Sequence, residues 1–361
     1  MLSQTSQCHL YDTVAALAGA RVGVVGDLVA DLYISGLTDR VSREAPVLIV
    51  RYEKEWLRPG GAANVAANIA ALGATAVVVG TVGDDEMGQR LLEQLTHSSI
   101  GGGSDGSGRG RVCCEHVVRA AGRSTISKTR FLAGAKSTHR QQVLRLDRQP
   151  SESLDAALIA RIREQVATAD SQVDAWVASD YGYGSFDDGL RDLLREIARR
   201  KPVLADSRWA LPTFAGMTLL KPNEEEARQM ASELGLDATN AGVFAAGLAN
   251  RLEAQAVLIT LGNKGMVLAV REAVVEAAER EACARIVRIP AVGTEEIVDL
   301  TGAGDSVAAT LATALAAGCN FEVAARLANH SGGIVVMKEG AATASPDELR
   351  ESIKTWNAGA R

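Results

Sequence analysis

Short apolar runs that stop on Gly, Asp or Thr, each followed by a helical stretch, leave this chain very few folds. Val22–Val25 runs into Gly26-Asp27 and Ala76–Val79 into Gly80; Ala175–Ala178, Val203–Ala205 and Val257–Thr260 repeat the pattern. Such runs are too short for helices and read as strands buried on both faces. Between them Asn64–Leu72, Asp84–Leu95, Leu154–Ala167, Asp188–Arg199, Asn223–Glu233 and Val243–Leu252 read as helices. Strands alternating with helices predict an α/β fold: a doubly wound, mostly parallel sheet with helices on both faces. Val267–Val270 and Ala284–Ile289 add strands, and Ala303–Ala317, Phe321–Lys338 and Pro346–Thr355 add the last helices.

A second set of strands is more polar. Tyr33–Gly36, Val47–Tyr52, Ser127–Leu132 and Val143–Leu146 predict a small separate β sheet. Its strands are expected within about 33–56 and 111–147, with residues 1–20 as an extension before a single domain at 21–361. In Gly101–Gly110 six of ten residues are Gly, which predicts a flexible loop.

Charge and composition exclude several functions. Lys plus Arg total 38 against 44 Asp plus Glu, a net charge of −6 that argues against non-specific nucleic-acid binding. Four Trp, five Tyr and five Phe give no stacking platform for single strands. No apolar run reaches the ~18 residues of a membrane span, and Met1–Tyr11 is too polar for a signal peptide, so a cytoplasmic protein is expected. Five cysteines without a CxxC read as reduced thiols.

The sharpest local signal is Asp299-Leu300-Thr301-Gly302-Ala303-Gly304-Asp305, which follows the strand-like Ile297–Val298 and opens a long helix. Small residues there let backbone N–H groups converge on an anion, and the helix N-terminus adds partial positive charge. Phosphoryl transfer needs such pre-placed donors. In that setting the Asp305 carboxylate can take a proton from an attacking hydroxyl; the same pattern also fits a helix cap. Gly60-Gly61-Ala62-Ala63-Asn64 is a glycine turn opening a helix, with Asn64 able to meet a polar ligand. Asn223-Glu224-Glu225-Glu226 fits either a capped helix start or residues holding hydrated Mg²⁺. Thr260-Leu261-Gly262-Asn263-Lys264-Gly265 joins two strands, as a hairpin turn also would.

Taken together and in this order, these segments resemble the ribokinase-like (PfkB) family of carbohydrate kinases, over about Val22 to Ala342. Within it the chain is most similar to the D-glycero-β-D-manno-heptose 7-phosphate kinases of ADP-heptose synthesis. Gly26–Asp31, Arg43-Glu44-Ala45-Pro46-Val47, Arg58–Ala66, Lys128-Thr129-Arg130 and Gln141–Asp147 carry that likeness. It implies a ribokinase-like fold in which the small sheet is a lid, and an ATP- and Mg²⁺-dependent phosphorylation of the anomeric hydroxyl. By resemblance Asp305 is the general base, and Gly302, Ala303 and Gly304 form the anion hole. Asp31, Gly60, Gly61, Asn64 and Asp180 fall on the sugar-binding side. Asn223 and Glu226 order Mg²⁺ and phosphates, while Thr260, Gly262, Gly265 and Asn329 lie along the nucleotide. Asp299 and Thr301 lie where many members hold a monovalent cation such as K⁺. The family also implies a homodimer paired through the lid and a separate nucleotidyltransferase for the next step.

A phosphorylated acceptor needs cations at its far end, and Lys128, Arg130, Arg140 and Arg145 are candidates; a solvated strand face explains them as well. Lys128 and Arg130 share strand parity, so both can face one ligand. The chain departs from the heptose kinases in two places. Tyr183 stands where their Asp-Tyr-x-Lys-Gly carries lysine, and Asn329-His330-Ser331-Gly332 replaces Asn-Ala-Ala-Gly. The sequence leaves two alternatives open: a kinase of the same fold for fructose 1-phosphate, ribose or a nucleoside, and a non-catalytic sugar- or nucleotide-binding regulator.

Overall fold

The computed structural model describes residues 4–97, 110–136, 140–150, 153–237, 239–272, 284–293 and 297–359. Of the expected glycine loop at 101–110, all but Gly110 lies outside the described residues. The strands are β1 (Arg21–Gly26), β2 (Leu28–Val41), β3 (Leu48–Gly61), β4 (Thr75–Gly83), β5 (Arg111–Cys113), β6 (Val117–Ala120), β7 (Ser127–Gly134), β8 (Gln141–Arg148), β9 (Ala175–Asp180), β10 (Val203–Ser207), β11 (Leu219–Leu220), β12 (Ala256–Thr260), β13 (Met266–Arg271) and β14 (Ala284–Ile289). The helices are α1 (Gln4–Ala16), α2 (Ala62–Ala71), α3 (Glu86–His97), α4 (Ala156–Ala169), α5 (Asp188–Ile197), α6 (Glu224–Leu234), α7 (Ala241–Arg251), α8 (Ala303–Ala316), α9 (Phe321–Val335) and α10 (Pro346–Gly359).

Among the described residues the large sheet runs β14-β13-β12-β11-β10-β9-β1-β4-β5, with β6 also on β4. From β12 to β6 its pairs are parallel. β13 and β14 turn antiparallel, since the five residues between β12 and β13 allow a hairpin and no helical crossover. Alternate strand residues feed opposite cores. Val22 and Val24 face the core built on α1, α2, α3, α8, α9 and α10; Val25 faces the one built on α4, α5, α6 and α7. No described helix is long and apolar enough to cross a membrane.

The small sheet is a four-stranded lid in the order β3-β2-β7-β8. Its composition differs from the expectation. Residues 111–113 and 117–120 pair with β4 in the large sheet, because Val112, Val118 and Ala120 are apolar and need its buried edge. The lid strands β2 and β3 are longer than 33–56, reaching from Leu28 to Gly61. Tyr33, Ser35 and Gly36, expected on a more polar strand, are buried. Ile297–Val298 is no strand: both residues are exposed, and the amides of Val298 and Asp299 share the Val336 carbonyl. In the stretch expected as an extension, Leu10, Val14 and Leu17 are buried in the first core beside Leu349 and Ile353.

Candidate active site

Parallel strands all deliver their carboxyl ends to one edge of the sheet, and that edge holds the motifs. Gly302 takes a left-handed φ of 78° and starts α8; a Cβ there would lie 2.6 Å from Asn64 Nδ2, so only glycine fits. One turn on, the buried Asp305 carboxylate accepts hydrogen bonds from Asn64 Nδ2 and Tyr181 Oη, each at 2.7 Å. Burial raises its pKa to about 6 against the pull of those two donors. Asn64 is held in turn: Asn68 Nδ2 donates to its Oδ1 at 3.1 Å, which leaves its amide N–H to face Asp305, and Ser306 Oγ donates to Asn68 Oδ1. Tyr181 sits on a turn pinned by buried Asp27, whose carboxylate accepts from the Tyr181 and Tyr183 amides and from Ser185 Oγ. Burial, and then the Asp305 charge, hold the Tyr181 pKa well above that of a free phenol, so it remains a donor.

Lys221 and Asp206, which sequence reasoning missed, stand beside Asp305 in the same cavity. Their side chains meet at 2.9 Å at the ends of β11 and β10, and Lys221 is 4% exposed. Burial alone would strip the ammonium of its proton; Asp206 outweighs it and keeps Lys221 charged. A lysine closing the apolar run Leu219-Leu220 was the signal available. A cavity of about 540 Å³ is lined by Asp206, Lys221, Glu226, Thr260, Gly304 and Asp305, among others. Asn223 and Glu226 do form a capping box, each side chain accepting the other's amide at 2.9 Å, and they line this cavity as well. Asp180 also lies here, with its oxygens held by Ser207 Oγ and the Gly182 amide, while Asp31 stands on the lid.

A second cavity of about 580 Å³ adjoins the first and shares Thr260, Gly262, Leu300 and Gly304 with it. Ala303, Gly265 and Asn329 line it, and Gly265 takes a φ of 88° where a Cβ would collide with the Ile289 carbonyl. Asn329 donates its amide to Pro290 O at 2.8 Å. His330 packs away between helices, bonded to Ser352 Oγ. Asp299 accepts from the Thr301 and Gly340 amides at 2.8 and 2.9 Å and so fixes the turn before α8.

On the lid, buried Asp31 pairs with Arg130 at 2.6 Å, and Gly60 leaves room for that carboxylate. Gly61 turns the chain at φ 56°, where a Cβ would sit 2.5 Å from the Asp27 carbonyl. Arg140 pairs with Glu53 and Arg145 with Asp147. Lys128 differs from these three. It is half-buried, lies 5.6 and 5.9 Å from the ring centres of Tyr181 and Tyr183, and makes no ion pair among the described residues.

A small four-stranded sheet, a buried carboxylate, a turn of small residues and an open slot beyond it thus follow one another along a single parallel-sheet edge. The class built this way is the ribokinase-like sugar kinases. Escherichia coli phosphofructokinase-2 in complex with substrates and products shares the fold at a TM-score of 0.69, with 18% identity over 93% of this chain and 99% of that one. Arabidopsis thaliana ribokinase complexed with ribose and ATP matches at 0.63, with 19% identity over 93% and 99%. The chain belongs to the pfkB family of carbohydrate kinases, whose profile matches residues 20–348. It is 38% identical to the bifunctional protein HldE of Aeromonas salmonicida over 95% of its own length, and 40% identical to that of Halorhodospira halophila over 92%. It spans 66% and 63% of those two proteins, a little under two thirds.

Proposed function

We propose that the protein transfers the γ-phosphate of ATP to the anomeric hydroxyl of D-glycero-β-D-manno-heptose 7-phosphate. The observation that carries the reading is Asp305: a buried carboxylate with a pKa near 6, oriented by Asn64 and Tyr181, beside a cavity of about 540 Å³ that Lys221 also lines. Asp305 takes the hydroxyl proton as the oxygen attacks the phosphorus in line. The amides of the Gly302–Asp305 turn, apart from that of Ala303, which donates to the Leu300 carbonyl, and the Lys221 ammonium stabilise charge on the transferring oxygens. The donor set suits Mg²⁺, which needs only one or two carboxylates besides phosphate oxygens and water. Glu226, with Asn223, would hold it through water, and it would supply charge neutralisation. A monovalent cation beside Asp299 and Thr301 belongs to the same reading. Asn329, its N–H given to Pro290, keeps a carbonyl oxygen for the amino group of adenine.

The heptose assignment rests on the Glu44-Ala45-Pro46 and Arg58–Ala66 stretches and on the identity to the bifunctional proteins. Lys128 is the cation for the 7-phosphate, since Arg130 is already neutralised by Asp31. Tyr183 favours a second reading, a pfkB kinase for another sugar or sugar phosphate. ADP release over a panel of acceptors separates the two. The heptose phosphate is expected to give the highest kcat/KM; a higher value on fructose 1-phosphate, ribose or a nucleoside replaces the acceptor. Lys128→Ala should raise KM for the phosphorylated acceptor about ten- to hundredfold, as for one lost charge-assisted hydrogen bond, and leave KM for ATP unchanged. Equal changes in both constants would make Lys128 structural.

Exposed apolar residues on the lid support a homodimer. Val41, Leu48, Tyr52, Val143, Leu144 and Leu146 on its strands are all exposed, and Leu144 and Leu146 share one strand face. Light scattering should give a dimer mass that Leu144→Glu converts to a monomer; a monomeric parent protein ends this part of the reading. A nucleotidyltransferase acting on the product completes the proposed sequence of reactions.

A further inference from the structure

The second cavity is closed by a residue that the family motifs do not contain. Asn329, Gly332, Gly333 and Val336 recur at helical spacing and present one face of α9 to it. Gly333 has no room for a side chain, because a Cβ would collide with the Val292 carbonyl, so part of the wall is bare backbone. The other side is supplied by α10. His330 bonds Ser352 across the two helices at 2.8 Å, and Ile353 is buried in the core. Trp356, one turn beyond Ser352 on the same helix face, therefore comes to line the cavity. Its indole is 37% exposed and makes no ring, cation or hydrogen-bond contact among the described residues. A half-covered indole in a slot lined mostly by apolar side chains and glycine, Met266, Val292, Val307 and Val336 among them, with Asn329 as a polar group, suits a flat heteroaromatic ring better than a phosphate or a sugar.

We infer that Trp356 is the stacking wall for the nucleotide base and sets the enzyme's affinity for ATP. The inference rests on the reading of this cavity as the nucleotide site, and names the residue that makes it selective for a base. α10 is then a part of the nucleotide site as well as of the core.

The test combines kinetics with fluorescence. Trp356→Ala should raise KM for ATP about five- to hundredfold, the range for one lost base-stacking partner, with KM for the acceptor and kcat at saturation unchanged. Trp356→Phe, which keeps a ring, should restore most of the affinity and guards against a misfolded alanine variant. Adenosine, which lacks phosphates, is the optical probe. It should quench tryptophan emission in the parent protein and fail to do so in Trp356→Phe. Trp176 is fully buried, Trp56 stacks on Tyr33 in the lid, and Trp209 lines the phosphate cavity. An unchanged KM for ATP in Trp356→Ala, or quenching that persists in Trp356→Phe, overturns the inference and leaves the nucleotide reading standing. A parent protein that neither binds nor consumes ATP overturns both.

Discussion

Asp305→Asn is expected to fold, to bind ATP and to lose about 10²–10⁴-fold in turnover, the usual contribution of a positioned general base. The carboxylate is the only one bonded to both Asn64 and Tyr181 among the described residues, and an amide of the same shape keeps its place but cannot take a proton. The pH dependence follows from burial. The folded-state pKa is near 6 against 3.8 for an exposed Asp, so the base is spent as pH falls through about 6, and kcat/KM should fall with it. Stability moves the other way. A carboxyl with a raised folded pKa contributes stability that is complete below 3.8 and lost as pH rises through about 6. Holding the charge at pH 8 thus costs up to about 3 kcal/mol. Asp305→Asn should therefore melt at or above the parent temperature at pH 8, and that gain should vanish near pH 4. Near-normal turnover in the variant would remove Asp305 from the base role. A large loss of melting temperature would instead make the residue structural.

Much of this site could be read in the chain because its chemistry is contiguous. A tight turn that brings a helix start against a neighbouring side chain demands small residues in succession, and Gly302-Ala303-Gly304 before Asp305 shows that demand openly; so does Gly60-Gly61 before Asn64. Groups that act from separate strands leave no such trace. Tyr181 lies 124 positions from Asp305, and Lys221 meets Asp206 only because β10 and β11 are neighbours in the sheet. Strand parity put Lys128 and Arg130 on one face, yet parity is blind to Asp31, which pairs with one and leaves the other open. For the same reason the three- and four-residue strands β5 and β6 carried no mark of which sheet they would join. Trp356 reads as an ordinary helix residue until α10 is placed against α9.

Lys221→Met separates a residue that supports the fold from one that supports the reaction. The ammonium is buried, 2.9 Å from Asp206, and sits beside Gly304 at the start of α8. Removing it strands the Asp206 carboxylate without a partner, and breaking a buried pair from one side costs about 3–5 kcal/mol. The urea midpoint should fall accordingly. Turnover should fall by about 10²–10³-fold, as when one donor to a developing charge is lost. Asp206→Leu combined with Lys221→Met removes both charges, and stability should return to near the parent value, because an apolar pair of similar volume in place of a buried ion pair is often neutral. Turnover should stay low, because the phosphate still lacks its cation. Recovery of turnover in the double variant would mean that Lys221 serves only to neutralise Asp206, and the amides of Gly302, Gly304 and Asp305 would then hold the transferring phosphate without it.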